Sequence, residues 1–212
     1  MKRAVIFCNG EIRDYDYHKA RISQDDYVIA VDGGGRHCKA LNIIPHLALG
    51  DFDSLSPSIL GFYRSRNVEI MQYPNDKNYI DMALAIDVAL ERGYDDIVVF
   101  GALGGKRIDM EIANILLLSR YTRNITIEDE NRIIRLIDEN SPLVLKDLNG
   151  MYFSLIPLSS RLVTGESAGL LYQLLDLEFT FGETRSVSNE ITADYCRVEI
   201  KEGKALAICQ KK

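Results

Sequence analysis

The stretch YVIAVDGGGRHCKALNI, residues 27–43, decides the fold expected for the first half of the chain. It begins with a mainly apolar and β-branched run, passes through Asp32 into three glycines, and ends with the spacing of an amphipathic helix. A strand that passes through a glycine turn into a helix is the repeating unit of a parallel sheet covered by helices. In such sheets, ligands bind where the carboxyl ends of the strands meet the helix N-termini.

The same alternation continues to about residue 120. Apolar strand patterns that end in turn-forming residues occur in RAVIFCNG, LALGDFDS, NVEIMQYP and DIVVFGALGG. Helical patterns occur in SPSILGFYRSR, DMEIANILLLSRY and YIDMALAIDVALERG, the last in a helix expected to begin at residues 77–79. These patterns predict a Rossmann-like α/β domain with a parallel sheet over residues 1–136, with its polar clusters at the strand ends.

From about residue 124 the pattern changes to short strands separated by turns. Strand patterns such as MYFSLIPLS and KALAICQ alternate with turn signals such as DLNG at residues 147–150. This texture predicts a small all-β sandwich domain over residues 137–212. The segment NITIEDE, residues 124–130, either is the first of these short strands or closes the first sheet before the chain crosses over.

Composition limits the classes of function. The 212 residues carry a net charge of -6, so we expect no binding to nucleic acid, which normally requires a basic patch. The four cysteines are scattered without zinc or redox spacing. No apolar segment reaches the roughly 18 residues needed to span a bilayer, and the N-terminus has the pattern of a first strand rather than of a signal peptide. We therefore expect a cytoplasmic protein with no membrane partner.

The first polar cluster is Asp51-Phe52-Asp53, with Asp32 and its glycines at the end of the preceding strand. In an extended chain Asp51 and Asp53 would point the same way and repel each other. A hard divalent cation such as Mg²⁺, which needs few protein carboxylates, would explain the pattern, and the glycines would let backbone amides approach a phosphate. A solvated turn explains the same residues, because Gly, Asp, Ser and Pro are common in turns.

Two further clusters each have a functional and a structural interpretation. Asp81, in the first turn of its helix, favours the helix dipole or supplies a third carboxylate, with Lys77 one turn earlier to meet a phosphate. In GALGGKRID, the Lys-Arg pair ending at Arg107 could stabilise phosphoryl oxygens and Asp109 could accept a proton, or Asp109 could only cap a helix. The segment matches neither the Walker A nor the G-x-G-x-x-G pattern. Together, the three clusters predict phosphoryl transfer from a magnesium-bound nucleotide.

The order of these motifs resembles the thiamine pyrophosphokinase family. The resemblance depends on a strand ending in DGG, on GDFDS, on a P-x-x-K-x-x-x-D segment that opens a helix, and on a glycine-rich loop with R-x-D and an Asn five residues after the Asp. The C-terminal SVSNE, followed by a strand and EGKALAI, is similar to the end of that family. The resemblance covers nearly the whole chain.

The resemblance implies that the hydroxyethyl oxygen of thiamine attacks the β-phosphorus of magnesium-bound ATP and releases AMP. It implies magnesium ligands at Asp51, Asp53 and Asp81, and a homodimer whose active sites lie between the α/β domain of one subunit and the β-domain of the other. The remaining residues that it assigns are Lys77 and Arg107 on the phosphate path, Asp32, Gly33 and Gly34 beside the nucleotide, and Asp109, Ser188 and Asn189 near thiamine.

The chain departs from the family pattern at four positions, one of which is Lys106, where a second glycine is common. Asn78 and Ile80 stand where many bacterial members have a carboxylate and a hydroxyl, and Met110 stands where they often have a histidine. Because of these departures, a non-catalytic sensor that binds thiamine or a nucleotide is a second hypothesis. A metal-dependent transferase that uses a nucleotide sugar is a third, since D-x-D at a strand end is also a metal site in those enzymes.

Overall fold

The computed structural model describes residues 2–74, 76, 78–122 and 124–212 of the chain. Their contacts divide the chain into two compact units, each with a hydrophobic core. The first unit contains the residues up to Leu117 together with Ile127–Glu130, and the second contains Leu118–Thr126 and Asn131–Lys212. The chain thus passes between the two units more than once from Leu117 to Asn131, and the predicted boundary at residue 136 stays a prediction.

The first unit is built on five parallel strands, which confirms the predicted α/β fold. Their order is β5–β1–β2–β3–β4, and every pairing is parallel. The central strands are buried almost completely, which explains their unbroken apolar sequences, because a parallel sheet is covered on both faces. The strands are Arg3–Phe7 (β1), Tyr27–Val31 (β2), Leu47–Gly50 (β3), Glu69–Gln72 (β4) and Asp96–Phe100 (β5).

Among the described residues of this unit, five helices follow the strand ends. The helix predicted to begin at residues 77–79 begins instead at Asp81, because Ile80 is extended and serves as its N-cap. Across the described residues, no helix combines the length and the apolar character needed to cross a bilayer. The helices are Tyr15–Ala20 (α1), Gly35–Ala40 (α2), Pro57–Ser65 (α3), Asp81–Glu91 (α4) and Ile108–Leu117 (α5).

The second unit is antiparallel, which confirms the predicted β-sandwich. One group of strands pairs in the order β7–β14–β9–β12, and a second group pairs in the order β11–β10–β13–β8. Buried and exposed residues alternate along β8, β9 and β13, as expected for sheets with one face in a core. The strands are Arg132–Asp138 (β7), Leu143–Lys146 (β8), Tyr152–Pro157 (β9), Arg161–Ala168 (β10), Glu178–Thr180 (β11), Asn189–Glu190 (β12), Tyr195–Glu202 (β13) and Lys204–Gln210 (β14). Strand β6, Asn124–Glu128, contributes residues to both units.

Candidate active site

A cleft of about 620 Å³ lies at the carboxyl ends of the strands of the first unit. Its walls come from segments that follow β1, β2, β3 and β5 and from the starts of α4 and α5. Five of the predicted site residues line this cleft, namely Asp32, Asp51, Asp53, Asp81 and Arg107. The polar clusters that are far apart in the sequence therefore share one cavity.

Three carboxylates converge in this cleft. Oxygen atoms of Asp32, Asp51 and Asp53 all lie within 4.8 Å of one another. The charge of Asp51, followed by that of Asp32, raises the pKa of the Asp53 carboxyl, as expected for like charges held together. Asp81 lies in the first turn of α4 and lines the same cleft, and its charge also contributes to the raised pKa of Asp53. The three carboxylates with close oxygens are therefore Asp32, Asp51 and Asp53. The predicted role of Asp81 as a magnesium ligand stays a prediction.

This group of carboxylates fits a hard divalent cation. The Oδ1 atom of Asp32 is buried and has no hydrogen-bond partner among the described residues. A buried carboxylate oxygen without a donor is costly, and a cation would satisfy it. The same ion would relieve the repulsion that raises the pKa of Asp53.

A turn, rather than an extended strand, brings Asp51 and Asp53 together. Strand β3 ends at Gly50, and the backbone N–H of Asp53 donates to Oδ1 of Asp51 at 3.1 Å. Phe52 between them has a φ of 62°, a left-handed conformation that bulky residues rarely adopt, and its side chain is buried in the core. Asp32 is also left-handed, with a φ of 46°. Such strain clusters at ligand sites, so the same residues form the turn and the candidate cation site.

Asn9, at the end of β1, was not predicted as a site residue. Its Nδ2 donates to Oγ of Ser54 at 3.0 Å, and the Ser54 hydroxyl donates to Oδ2 of Asp32. A Cβ atom at position 33 would overlap the Asn9 amide, so Gly33 allows this amide to keep its position. The sequence signal that could have identified Asn9 as a site residue is the Asn-Gly pair at the end of the first strand pattern. This relay of hydrogen bonds fixes Oδ2 of Asp32 and does not include Oδ1.

Two side chains of α2 hold the backbone of Asn9 and Gly10. The Nη2 atom of Arg36 donates to the carbonyl oxygens of Asn9 at 2.8 Å and Gly10 at 3.0 Å. The buried His37 ring places Nε2 3.0 Å from the same Gly10 oxygen and Nδ1 2.7 Å from the Tyr15 hydroxyl oxygen. Burial lowers the pKa of this ring to about 4, so at neutral pH Nε2 donates to Gly10 and Nδ1 accepts from Tyr15. The imidazole is therefore neutral and serves as a support for this wall of the cleft.

This neutral histidine makes stability depend on pH. Burial lowers the pKa of His37 from 6.5 to about 4, so between these values the unfolded chain binds a proton that the folded chain does not. We expect the free energy of unfolding to fall by about 3 kcal/mol as the pH falls through this range. Urea unfolding at several pH values measures the slope, and His37→Gln should remove this contribution. An unchanged slope in that variant would contradict the assignment.

The glycine-rich loop after β5 is pinned from α5. The backbone N–H of Gly104 donates to Oε2 of Glu111 at 3.2 Å, and Nδ2 of the buried Asn114 donates to the Ala102 carbonyl at 2.8 Å. Gly101 has a φ of 66° and leaves no room for a side chain against the Cys8 carbonyl. The asparagine five residues after Asp109 therefore has a visible role, which is to hold this loop against the cleft.

Arg107 and Asp109 form a two-pronged ion pair at the start of α5. The Arg107 Nε atom lies 2.8 Å from Oδ1 of Asp109, and Nη2 lies 2.5 Å from Oδ2. The guanidinium lowers the pKa of Asp109 to about 2. Both side chains remain largely exposed, at 70% and 62%, so the pair adds little stability and can open when a ligand arrives.

Four further predicted residues are described by the structure but do not line the cleft. Gly33 and Gly34 are buried in a short 3₁₀ turn between β2 and α2. Ser188 and Asn189 belong to the second unit, where Ser188 is exposed and Asn189 is buried. Lys77 lies outside the described residues, so its predicted contact with a phosphate stays a prediction.

Comparison with known proteins identifies the relatives of this chain. The family described as "Thiamin pyrophosphokinase, catalytic domain" matches residues 18–128, and "Thiamin pyrophosphokinase, vitamin B1 binding domain" matches residues 140–205. The thiamine pyrophosphokinase of Bacillus subtilis is 34% identical over 166 residues, which cover 77% of each chain. Thiamin pyrophosphokinase 1 of Caenorhabditis elegans is 27% identical over 202 residues, which cover 88% of this chain and 81% of the relative.

Solved structures extend the similarity to the whole chain. The crystal structure of the Bacillus subtilis thiamine pyrophosphokinase aligns over 100% of both chains with a TM-score of 0.87 and 27% identity. The thiamin pyrophosphokinase of Geobacillus thermodenitrificans aligns over 100% of this chain and 98% of its own, with a TM-score of 0.84 and 25% identity. The similarity to both family models and to these relatives confirms the resemblance seen in the sequence motifs. The chain belongs to the thiamine pyrophosphokinase family.

Proposed function

We propose that this chain is a thiamine diphosphokinase that uses ATP and Mg²⁺. The hydroxyl oxygen of thiamine forms a bond to the β-phosphorus of ATP, the bond from that phosphorus to the α,β-bridging oxygen breaks so that the oxygen leaves with AMP, and the hydroxyl proton passes to water. The observation that carries the proposal is the convergence of three carboxylates in a cleft that also contains Arg107, in a chain of this family.

Asp32, Asp51 and Asp53 are the residues that would hold the magnesium ion. Their close oxygens and the buried Oδ1 of Asp32 match the preference of Mg²⁺ for a few carboxylates. When bound, the ion neutralises charge on the polyphosphate and aligns it for transfer. Asp81, which lines the same cleft, keeps its proposed role as a ligand of this ion.

Arg107 and Asp109 act on the two reactants. The guanidinium fork of Arg107 suits phosphate oxygens, and binding them releases the Asp109 carboxylate from the ion pair. The released Asp109 side chain is exposed, and an exposed carboxylate is a weak base, so it accepts a hydrogen bond from the thiamine hydroxyl and orients it. The backbone amides near Gly33 and Gly34, together with Lys77, are proposed to contact the nucleotide beside Asp32.

We also propose a homodimer in which the cleft of one subunit and the β-domain of its partner, with Ser188 and Asn189, bind thiamine together. An apolar stripe on α5 supports association with a second copy, because Ile108, Ile112 and Leu116 recur every four residues and are all exposed. A cytoplasmic location is part of the proposal, because all four cysteines are buried free thiols, as is usual in a reducing compartment.

Ile112→Glu is expected to weaken the dimer at least tenfold. A carboxylate at the centre of the stripe would be buried without a partner in the dimer but would stay solvated in the monomer, since Ile112 is half exposed. Sedimentation velocity over a range of protein concentrations measures the change. The control is Lys19→Glu, which introduces the same side chain on α1. Tyr94→Glu is not used as a control, because the Tyr94 ring stacks on Tyr27. If the Ile112→Glu variant associates as strongly as the parent protein, this face of α5 is not the dimer interface.

The proposed activity is tested by incubating the purified protein with ATP, Mg²⁺ and thiamine and identifying the products. We expect AMP and thiamine diphosphate in equal amounts, and neither when thiamine or Mg²⁺ is omitted. Tight thiamine binding without AMP would favour the non-catalytic sensor, which the substitutions at Asn78, Ile80 and Met110 suggest. Hydrolysis of a UDP or GDP sugar that does not respond to thiamine would favour the nucleotide-sugar transferase.

A further inference from the structure

The two oxygens of the Asp32 carboxylate have different surroundings. Oδ2 accepts a hydrogen bond from the Ser54 hydroxyl, whereas Oδ1 is buried and has no hydrogen-bond partner among the described residues. Because an unpaired carboxylate oxygen is costly to bury, other contacts have to hold the side chain in this orientation. The residues that make these contacts act on the candidate cation site from behind the carboxylate.

The backbone of Asp32 is confined by the neighbouring strand. Asp32 directly follows β2 and has a left-handed φ of 46°. A Cβ atom added to Gly50, the last residue of β3, would lie only 3.0 Å from the Cβ atom of Asp32. The freedom that the carboxylate retains is rotation of its own side chain, and the hydrogen bond from Ser54 opposes this rotation.

The protons of the relay give it one direction. The Nδ2 atom of Asn9 can only donate, and it lies 3.0 Å from Oγ of Ser54, so the hydroxyl oxygen is the acceptor. The single proton of the Ser54 hydroxyl is then donated to Oδ2 of Asp32. Without the amide, the hydroxyl could rotate toward water. Asn9 therefore keeps Ser54 in the role of a donor to Asp32.

The backbone on both sides of Asn9 is held by hydrogen bonds. The Cys8 N–H donates to the Phe100 carbonyl at 2.8 Å. The Gly10 N–H donates to the Gly101 carbonyl at 2.6 Å. The pairing of β1 with β5 thus continues past the ends of both strands, and the Asn9 amide extends from a fixed backbone.

We infer that Asn9 and Ser54 are positioning residues for the divalent cation and that they act through Asp32. The inference deepens the proposed function and rests on its cation site at Asp32, Asp51 and Asp53. Ser54 does not line the cleft, so its hydroxyl acts on the ion through the Asp32 carboxylate. Hydrogen-bond partners behind a metal ligand fix its orientation, and their loss typically lowers metal affinity by about 10- to 100-fold.

Binding of Mn²⁺ to the protein without nucleotide tests the role of Ser54. Mn²⁺ prefers the same oxygen ligands as Mg²⁺, and electron paramagnetic resonance measures its free concentration directly. We expect Ser54→Ala to raise the dissociation constant for Mn²⁺ about tenfold or more. Ser54→Thr keeps the hydroxyl at an exposed position and should restore binding.

Ser56→Ala is the matched control for loss of a hydroxyl from the same loop. The Ser56 hydroxyl lies 3.0 Å from the hydroxyl of Ser58, and Ser56 precedes α3 without capping it through its side chain. This variant should bind Mn²⁺ like the parent protein. If Ser54→Ala binds Mn²⁺ as tightly as Ser56→Ala, the inference is wrong.

A double-mutant cycle tests whether Asn9 acts through Ser54. Asn9→Ala should weaken Mn²⁺ binding, and adding it to Ser54→Ala should cause no further loss. Effects that multiply would mean that Asn9 acts on the ion independently of Ser54, which would overturn its place in the relay. The Asn9 side chain is exposed, so its removal leaves the core unchanged.

Activity measurements separate this inference from the proposed function. If the parent makes no AMP but binds Mn²⁺, and Ser54→Ala weakens that binding, the activity fails and the inference stands. If the parent is active, Ser54→Ala should raise the Mg²⁺ concentration for half-maximal rate about tenfold, with the rate at saturating Mg²⁺ within about twofold. The inference is wrong if Ser54→Thr does not restore Mn²⁺ binding, or if the parent does not bind Mn²⁺.

Discussion

Asp53→Asn is expected to lower the rate of pyrophosphoryl transfer by about three orders of magnitude while leaving the fold intact. The substitution removes one of three carboxylates that converge within 4.8 Å, and a neutral amide is a poor ligand for Mg²⁺. The rate of AMP formation at saturating ATP and thiamine, measured over a range of Mg²⁺ concentrations, gives the loss.

The same variant is expected to melt at a higher temperature than the parent when Mg²⁺ is absent. The pKa of Asp53 is raised in the folded chain, so at neutral pH its ionised form is less favourable there than in the unfolded chain. In the parent without Mg²⁺, stability should accordingly increase as the pH falls through the raised pKa of Asp53. Asp25→Asn, at an exposed aspartate outside the cleft, is the matched control for loss of one charge. Near-normal turnover of Asp53→Asn at limiting Mg²⁺ would refute the metal role.

The sequence predicted the fold because its signals are local. Strand patterns such as DIVVFGALGG and the glycine turn at Gly33 depend only on neighbouring residues, and the structure confirms each strand and helix of the α/β unit that these patterns predict. The start of α4 was placed too early, because the helical pattern does not record that Ile80 is extended. Helix boundaries of this kind depend on the backbone conformation of single residues, which the periodicity of the sequence does not determine.

The composition of the site was only partly predictable. That Asp32, Asp51 and Asp53 lie together follows from strand order, since β2 and β3 are neighbours and both end at the cleft. The relay from Asn9 through Ser54 was missed because it joins residues 45 positions apart through a side-chain geometry that no spacing encodes. The buried amide of Asn189 was likewise invisible, because a serine-asparagine pair looks the same in sequence whether it binds a ligand or its own loop.

Arg107→Ala is expected to lower kcat by about two to three orders of magnitude, with a smaller effect on KM for ATP. The guanidinium of Arg107 lines the cleft beside the glycine-rich loop and offers a fork of charge-assisted hydrogen-bond donors. These donors would stabilise the negative charge that builds up on the phosphoryl oxygens in the transition state. Arg107→Lys should recover only part of the rate, because an ammonium keeps the charge but loses the two-pronged geometry. Single-turnover measurements of AMP formation separate this chemical step from product release.

Arg107→Ala needs a matched control that also removes an exposed arginine from an ion pair. Arg13→Ala is that control, since Arg13 is exposed and pairs at 2.7 Å with Glu11, a carboxylate two positions away, but does not line the cleft. If both alanine variants lose the same activity, the loss is not specific to Arg107. If Arg107→Ala raises KM for ATP and leaves kcat unchanged, the residue binds the ground state of the nucleotide and not the transferring group. A fall in kcat confined to Arg107→Ala would place the guanidinium on the phosphoryl oxygens during transfer, where Asp109 is free to orient the thiamine hydroxyl.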